Sequence, residues 1–213
     1  MMHRQGHGRP MQELSLETHA CSSGTTHLAQ LFDSDESLAE AVADFFEPGL
    51  KGREMMLAVM DGARWNAVAM RLSARGLPVN DALRFGCLTV RNARETLTKF
   101  TIRERPHPGL FVASVGTLVA GLAAFGKPLR IYGEMVDVLV ARGEYTAACE
   151  LEALWNELGE RHPFTLFCGY SSAHFGDPRN AAALRRICAS HGKVLSSPRD
   201  VLGSFLLRTH QVG

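Results

Sequence analysis

Met55-Met56-Leu57-Ala58-Val59-Met60-Asp61-Gly62-Ala63-Arg64-Trp65-Asn66 contains the change of pattern that decides the fold. Its first six residues are apolar without alternation, as in a strand covered on both faces. Asp61-Gly62 makes a turn, and a helix follows to about Ala74, where Gly76-Leu77-Pro78 stops it. The same alternation extends in both directions. Upstream, residues 27–32 read as a first strand. Asp33-Ser34-Asp35 then offers a helix N-cap, and Leu38, Val42, Phe45 and Phe46 follow at helical spacing until Gly49 and Gly52. Downstream come a helical turn at 81–85, a strand at 87–90, a helix at 93–100 and a charged loop at 103–108. A long apolar helix at 110–125, a strand at 129–132, a helix at 144–158 and a strand at 164–170 continue the pattern. Helices at 179–190 and 200–207 close the chain. Residues 1–25 lack periodicity and read as a flexible arm, leaving 26–213 as a single domain. Strands alternating with helices predict an α/β fold of three layers, a mostly parallel sheet with helices on both faces. Ligands bind such sheets beyond the carboxyl ends of the strands. The places to search are therefore Asp61, the segment after Val90, Glu134 to Asp137, and Tyr170 onward.

Composition excludes several classes of protein. A chain of 213 residues with 46% hydrophobic and 21% charged residues buries a core without disulfides or metal. A net charge of +1 gives no field toward nucleic acid or an anionic membrane. The five cysteines are odd in number and include no C-x-x-C pair, which argues for free thiols in a reducing cytoplasm and against a disulfide framework or a zinc site. The nine histidines are scattered, and His27 reads as a satisfied histidine rather than a metal ligand. The longest apolar stretch, 110–125, is interrupted by Ser114, Gly116, Thr117 and Gly121 and is too short to span a bilayer. No secretory signal is visible.

Gly121-Leu-Ala-Ala-Phe-Gly126-Lys127-Pro128 mimics a phosphate loop in the wrong context. A working loop follows a strand and opens a helix, so that backbone N–H groups face the phosphates. Here a helix precedes and a strand follows, and Pro128 replaces the magnesium-binding hydroxyl. The loop after residues 55–60 has one glycine and no lysine. Nucleotide hydrolysis is not expected, and neither is a bound cofactor.

Three blocks carry recognition. Arg130-Ile131-Tyr132-Gly133-Glu134-Met135-Val136-Asp137 places two carboxylates just past a strand end. Leu151-Glu152-Ala153-Leu154-Trp155-Asn156-Glu157-Leu158 is helical, and residues 164–170 end in Cys168-Gly169-Tyr170. In this order the blocks resemble the MEDS family, the methanogen/methylotroph DcmR sensory domain, over about residues 26–175. Residues 27–38 and Asn92-Ala93-Arg94-Glu95-Thr96-Leu97 resemble further family segments. The resemblance implies a RecA/KaiC-like fold of degenerate P-loop NTPase type without Walker motifs. It also implies a sensory module that works with histidine kinases or DNA-binding regulators. Two positions depart from the family pattern: Arg64 or Trp65 stands near the place of a family His, and Asn92 stands where Asp is usual.

The candidate ligand-binding residues are Glu134, Asp137, Glu152, Asn156, Tyr170, Arg64 and Asn92, with no catalytic and no metal residues assigned. Glu134 and Asp137 bind a ligand or cation, or act as acid and base; alternatively Glu134 pairs with Arg130 or Arg142 and Asp137 caps the next segment. Glu152 and Asn156 share a helix face four residues apart, pointing either into the same cleft or to solvent. Trp155 and Cys168 read as core. Tyr170 either bonds a ligand or caps the sheet. The expected function is non-catalytic sensing of an unidentified small molecule or partner, with output through a separate kinase or transcriptional regulator and a homodimer as one arrangement. The alternative is a divergent NTPase or hydrolase using Glu134 and Asp137.

Overall fold

A computed structural model describes residues 25–197 and 199–210. The arm expected over residues 1–25 lies almost wholly outside them. The elements begin with β1 (Thr26–Phe32), α1 (Asp35–Gly52), β2 (Met55–Val59), α2 (Gly62–Ala74), α3 (Val79–Arg84), β3 (Leu88–Arg91) and α4 (Ala93–Thr98). A small hairpin of β4 (Thr101–Ile102) and β5 (Arg105–Pro106) follows, then α5 (Pro108–Phe111), a π turn (Val112–Gly116) and α6 (Thr117–Ala123). The remainder is β6 (Leu129–Gly133), α7 (Met135–Ala141), α8 (Tyr145–Arg161), β7 (Thr165–Ser171), α9 (Ala181–Ala189), β8 (Lys193–Ser196) and α10 (Val201–His210).

Six strands form one sheet in the order β3-β2-β6-β7-β1-β8, and every pairing in it is parallel. The three-layer α/β fold read from the sequence is the observed one. Successive residues of β2 serve opposite faces. Met55, Leu57 and Val59 join the core under α4, α6, α7, α8 and α9, whereas Met56, Ala58 and Met60 join the core under α1 and α2. This two-sided burial is why the run shows no polar alternation. Trp155 lies in the first core, edge-on to Phe111 and Phe164.

The connections create a crevice. After β1 and β2 the chain passes to the α1/α2 face; after β6 and β7 it passes to the opposite face. Strands β2 and β6 are neighbours, as are β7 and β1, so their following segments diverge at the carboxyl edge, the geometry of a topological switch point.

Some elements differ from expectation. From the sequence no element is assigned between the strand at 129–132 and the helix at 144–158; Met135–Ala141 is helical. The charged loop at 103–108 contains the β4–β5 hairpin, and β8 is an additional edge strand. The helix at 110–125 is broken by a π turn and ends at Ala123, with Gly126 at φ +66° before β6. That left-handed glycine is a helix stop, so the phosphate-loop mimic is a cap. Among the described residues no helix is long and apolar enough to cross a membrane.

Candidate functional site

The carboxyl edge of the sheet holds an arginine clamped by three carboxylates. Asp61, at the end of β2, caps α2 by accepting from the Ala63 N–H at 2.8 Å. This fixes the first turn of α2 and directs Arg64 across the crevice. Its Nε donates to Asp35 Oδ1 at 2.8 Å, and its Nη1 lies 3.3 Å from Glu134 Oε2 and 3.4 Å from Asp137 Oδ2. The guanidinium also stacks over Phe32, 5.3 Å from the ring centroid. Glu134 and Asp137 are both buried, so Arg64 is their countercharge.

Two backbone donors at the strand ends are consumed in the same place. The Asp61 N–H donates to Glu134 Oε1. The Ser171 N–H donates to Asp137 Oδ1 at 2.9 Å, and His174 Nε2 lies 3.4 Å from that oxygen. The protein's own carboxylates therefore occupy donors that would face an anionic ligand. Burial pushes the Glu134 carboxyl above the ordinary glutamate range, although the Arg64 charge and the Asp61 N–H pull the other way. For Arg64, burial favours loss of the proton, but the charges of Glu134, Asp35 and Asp137 outweigh it and raise its pKa.

A second polar cluster lies inside the α8/α9 face, between those helices and strands β1 and β7. Glu152 is fully buried and accepts from the Tyr170 hydroxyl. His27 Nε2 lies 3.1 Å from Glu152 Oε2 and 3.4 Å from Cys168 Sγ, and His191 Nε2 lies 3.5 Å from Glu152 Oε1. Asn156 meets His27 Nδ1 through Oδ1 at 2.8 Å and donates from Nδ2 to the Ser190 carbonyl at 3.2 Å. Burial pushes the Glu152 carboxyl up, but the adjacent imidazoles, His191 first, outweigh it when protonated and hold it well below the carboxylate range. For His191, burial acts downward and the Glu152 charge raises it. The Cys168 thiol and the Tyr170 hydroxyl are both pushed up, first by burial and then by the Glu152 charge.

The seven sequence candidates thus do not share one cleft. Glu134, Asp137 and Arg64 meet at the carboxyl edge. Glu152, Asn156 and Tyr170 meet in the inner cluster: Glu152 faces neither solvent nor the Glu134 crevice, Asn156 sits half-buried at the cluster's edge and bonds His27, and Tyr170 does not cap the sheet. Asn92 joins neither group: its side chain accepts from the Glu95 N–H at 3.1 Å and caps α4. Glu134 is paired with neither Arg130 nor Arg142; its partner is Arg64, while Arg130 bonds Glu54. Sequence reasoning missed Asp35, His174 and His191, which lie far along the chain from their partners. His27, read from the sequence as a satisfied histidine rather than a metal ligand, meets Asn156 Oδ1 and Cys168 Sγ and lies beside Glu152.

No curated protein matches the chain. The family model described as MEDS, the MEthanogen/methylotroph, DcmR Sensory domain, matches residues 26–191 and so spans both polar clusters. On that match the chain belongs to the MEDS family of sensory domains.

Proposed function

We propose that this chain is a non-catalytic sensory domain. Its input is a small molecule or protein segment that engages the crevice at the carboxyl edge of the sheet. Its output passes by protein contact to a separate histidine kinase or transcriptional regulator in the cytoplasm. The observation that carries this reading is the Arg64 clamp. Phosphoryl transfer needs a cradle of free backbone donors, a lysine and a hydroxyl for magnesium. Here the Asp61 and Ser171 N–H groups bind internal carboxylates, and Arg64 is held among Asp35, Glu134 and Asp137. A RecA/KaiC-like ancestor that lost its phosphate loop accounts for a crevice placed this way and filled from within. The alternative acid–base role for Glu134 and Asp137 is disfavoured, because both are buried and already bonded.

The clamp also supplies a switch. Arg64 and Asp35 belong to helices on one face of the sheet, while Glu134 and Asp137 belong to the turn and helix on the other. An anionic ligand that captures Arg64 would uncouple the two layers, which is the differential interaction a ligand needs in order to shift a population. The test is a thermal-shift screen of nucleotides, with and without magnesium, and of small carboxylates and phosphates, on wild type and Arg64→Ala. The expected result is a rise in melting temperature without turnover that is lost in Arg64→Ala. A shift of the same size in both proteins would remove the crevice as the input site, and turnover would overturn the non-catalytic reading.

A further inference from the structure

We propose that His27, Glu152, Cys168 and His191 form a binding site for one divalent transition-metal ion of the zinc class. One ligand atom from each of the four lies within 4.8 Å of all the others. Four separations are 3.1 Å for His27 Nε2–Glu152 Oε2, 3.4 Å for His27 Nε2–Cys168 Sγ, 3.5 Å for His191 Nε2–Glu152 Oε1 and 3.9 Å for Cys168 Sγ–Glu152 Oε2. Zinc bonds of roughly 2.0–2.3 Å place tetrahedral donors about 3.3–3.8 Å apart. The four separations, 3.1–3.9 Å, lie close to that range, and the remaining ones, within 4.8 Å, leave room for the side chains to draw in on an ion.

The outer hydrogen bonds point the same way. His191 Nδ1 lies 2.7 Å from the Ile187 carbonyl, which can only accept, so this nitrogen carries the proton. His27 Nδ1 lies 2.8 Å from Asn156 Oδ1, and the Asn156 amide is oriented by its bond from Nδ2 to the Ser190 carbonyl. His27 Nδ1 is therefore the donor as well. With both Nδ1 atoms protonated, each neutral ring turns an Nε2 lone pair toward Glu152. His191 Nε2 is buried and makes no hydrogen bond. Lone pairs converging on a buried carboxylate repel it unless a cation lies among them. In the metal-free cluster one proton on His191 pairs that ring with Glu152 and leaves His27 neutral, whereas protonating both would set two imidazolium rings, with centroids 4.0 Å apart, around a single carboxylate. A metal ion satisfies both nitrogens with the rings neutral. Ligating histidines are commonly held in this way, with the far nitrogen bonded to an oxygen acceptor. Tyr170 donates to Glu152 and steadies that ligand as well.

The donor set names the class of ion. Two imidazoles, one thiolate and one carboxylate suit zinc, cobalt or ferrous ions rather than magnesium or calcium, which take oxygen shells. Binding releases the Cys168 thiol proton to solvent, and thiolate, carboxylate and dication then sum to zero buried charge. Four protein donors complete a tetrahedron, so the ion is a structural or sensed one with no position left for a substrate. The site joins β1, α8, β7 and the turn after α9, which makes it a staple across one half of the domain. This inference stands independently of the Arg64 crevice.

The test uses the full chain, untagged, stripped with chelator and titrated with Zn2+ or Co2+. We expect one ion per chain, a rise in melting temperature, and tetrahedral Co2+ absorption with a thiolate charge-transfer band. Cys168→Ser should abolish that band, and His191→Ala should weaken Zn2+ binding at least tenfold. Cys149→Ser, which changes a thiol outside the cluster, should leave the spectrum intact. Circular dichroism of the stripped variants checks that they fold. If a variant fails to fold, the thiolate charge-transfer band of wild type with Co2+, and its loss on displacement by Zn2+, replaces it as the readout. Absence of stoichiometric binding, or an unchanged Co2+ spectrum in Cys168→Ser, or no thiolate band in Co2+-loaded wild type, would overturn the proposal.

Discussion

Glu134 is a carboxylate on which burial and pairing act in opposite directions, and burial prevails. The folded state therefore holds its proton to higher pH than the unfolded chain, whose glutamates titrate near about 4.3. The folded chain binds the extra proton, so this residue's contribution is fully present below the unfolded value and is lost as pH rises through the raised folded value. Denaturation of wild type and Glu134→Gln from pH 4 to 8 should show the variant gaining on wild type as pH rises. A constant difference across that range would contradict the assignment. Because Gln mimics the protonated carboxyl, the substitution should change stability by less than about 1 kcal/mol at low pH. Arg64→Ala is different: it leaves Glu134 and Asp137 facing each other without a cation. A buried pair that loses one partner costs roughly 3–5 kcal/mol, and the partial exposure of Arg64 reduces this to about 2–3 kcal/mol. An effect below about 1 kcal/mol in urea denaturation would remove the clamp from the account. Tyr132 makes the opposite case. Its hydroxyl is buried with no hydrogen-bond partner among the described residues, and it would be 2.6 Å from a Cβ added at Gly169. Tyr132→Phe should be neutral or stabilising by up to about 1 kcal/mol, since an unsatisfied hydroxyl is removed. A clear loss of stability would mean that the hydroxyl has a partner.

Helices α1 and α2 are joined by arginines spaced along one stripe of α2. Arg71 reaches Glu36 and Glu40, and Arg75 reaches Glu40, Asp44 and Glu47. These acids are largely solvated, so the network is weaker than the Arg64 clamp. Arg75→Ala should cost about 1 kcal/mol or less, and the cost should shrink in molar salt. A salt-independent loss would contradict that ranking. The elements legible from sequence were those with a strong period or an uninterrupted apolar run, such as β2, β7 and α8. Helix α7 was not legible because six of its seven residues, Met135 to Val140, are buried. With no polar face it shows no amphipathic period. Strands β4 and β5 have two residues each, too few for any pattern. Strand β8 is a short edge with no fully buried residue.

At the scale of the whole molecule, layer order was readable because alternation of strands and helices dictates it, whereas strand order was not. That gap is why the sequence grouped Glu134 with Glu152. Spacing along α8 correctly put Glu152 and Asn156 on one face, but only the placement of α8 over β1 and β7 decides that the face meets His27 rather than the crevice. Arg64 and Asp137 were legible as single candidates, and their meeting depends on β2 lying beside β6. A crevice filled from within, as proposed, performs no phosphoryl transfer. Magnesium-dependent phosphate release from ATP or GTP, followed on protein free of contaminating ATPase, tests this most directly. Release no greater than the buffer blank is expected for wild type and for Glu134→Gln alike. Release that scales with wild-type protein and disappears in Glu134→Gln would contradict it.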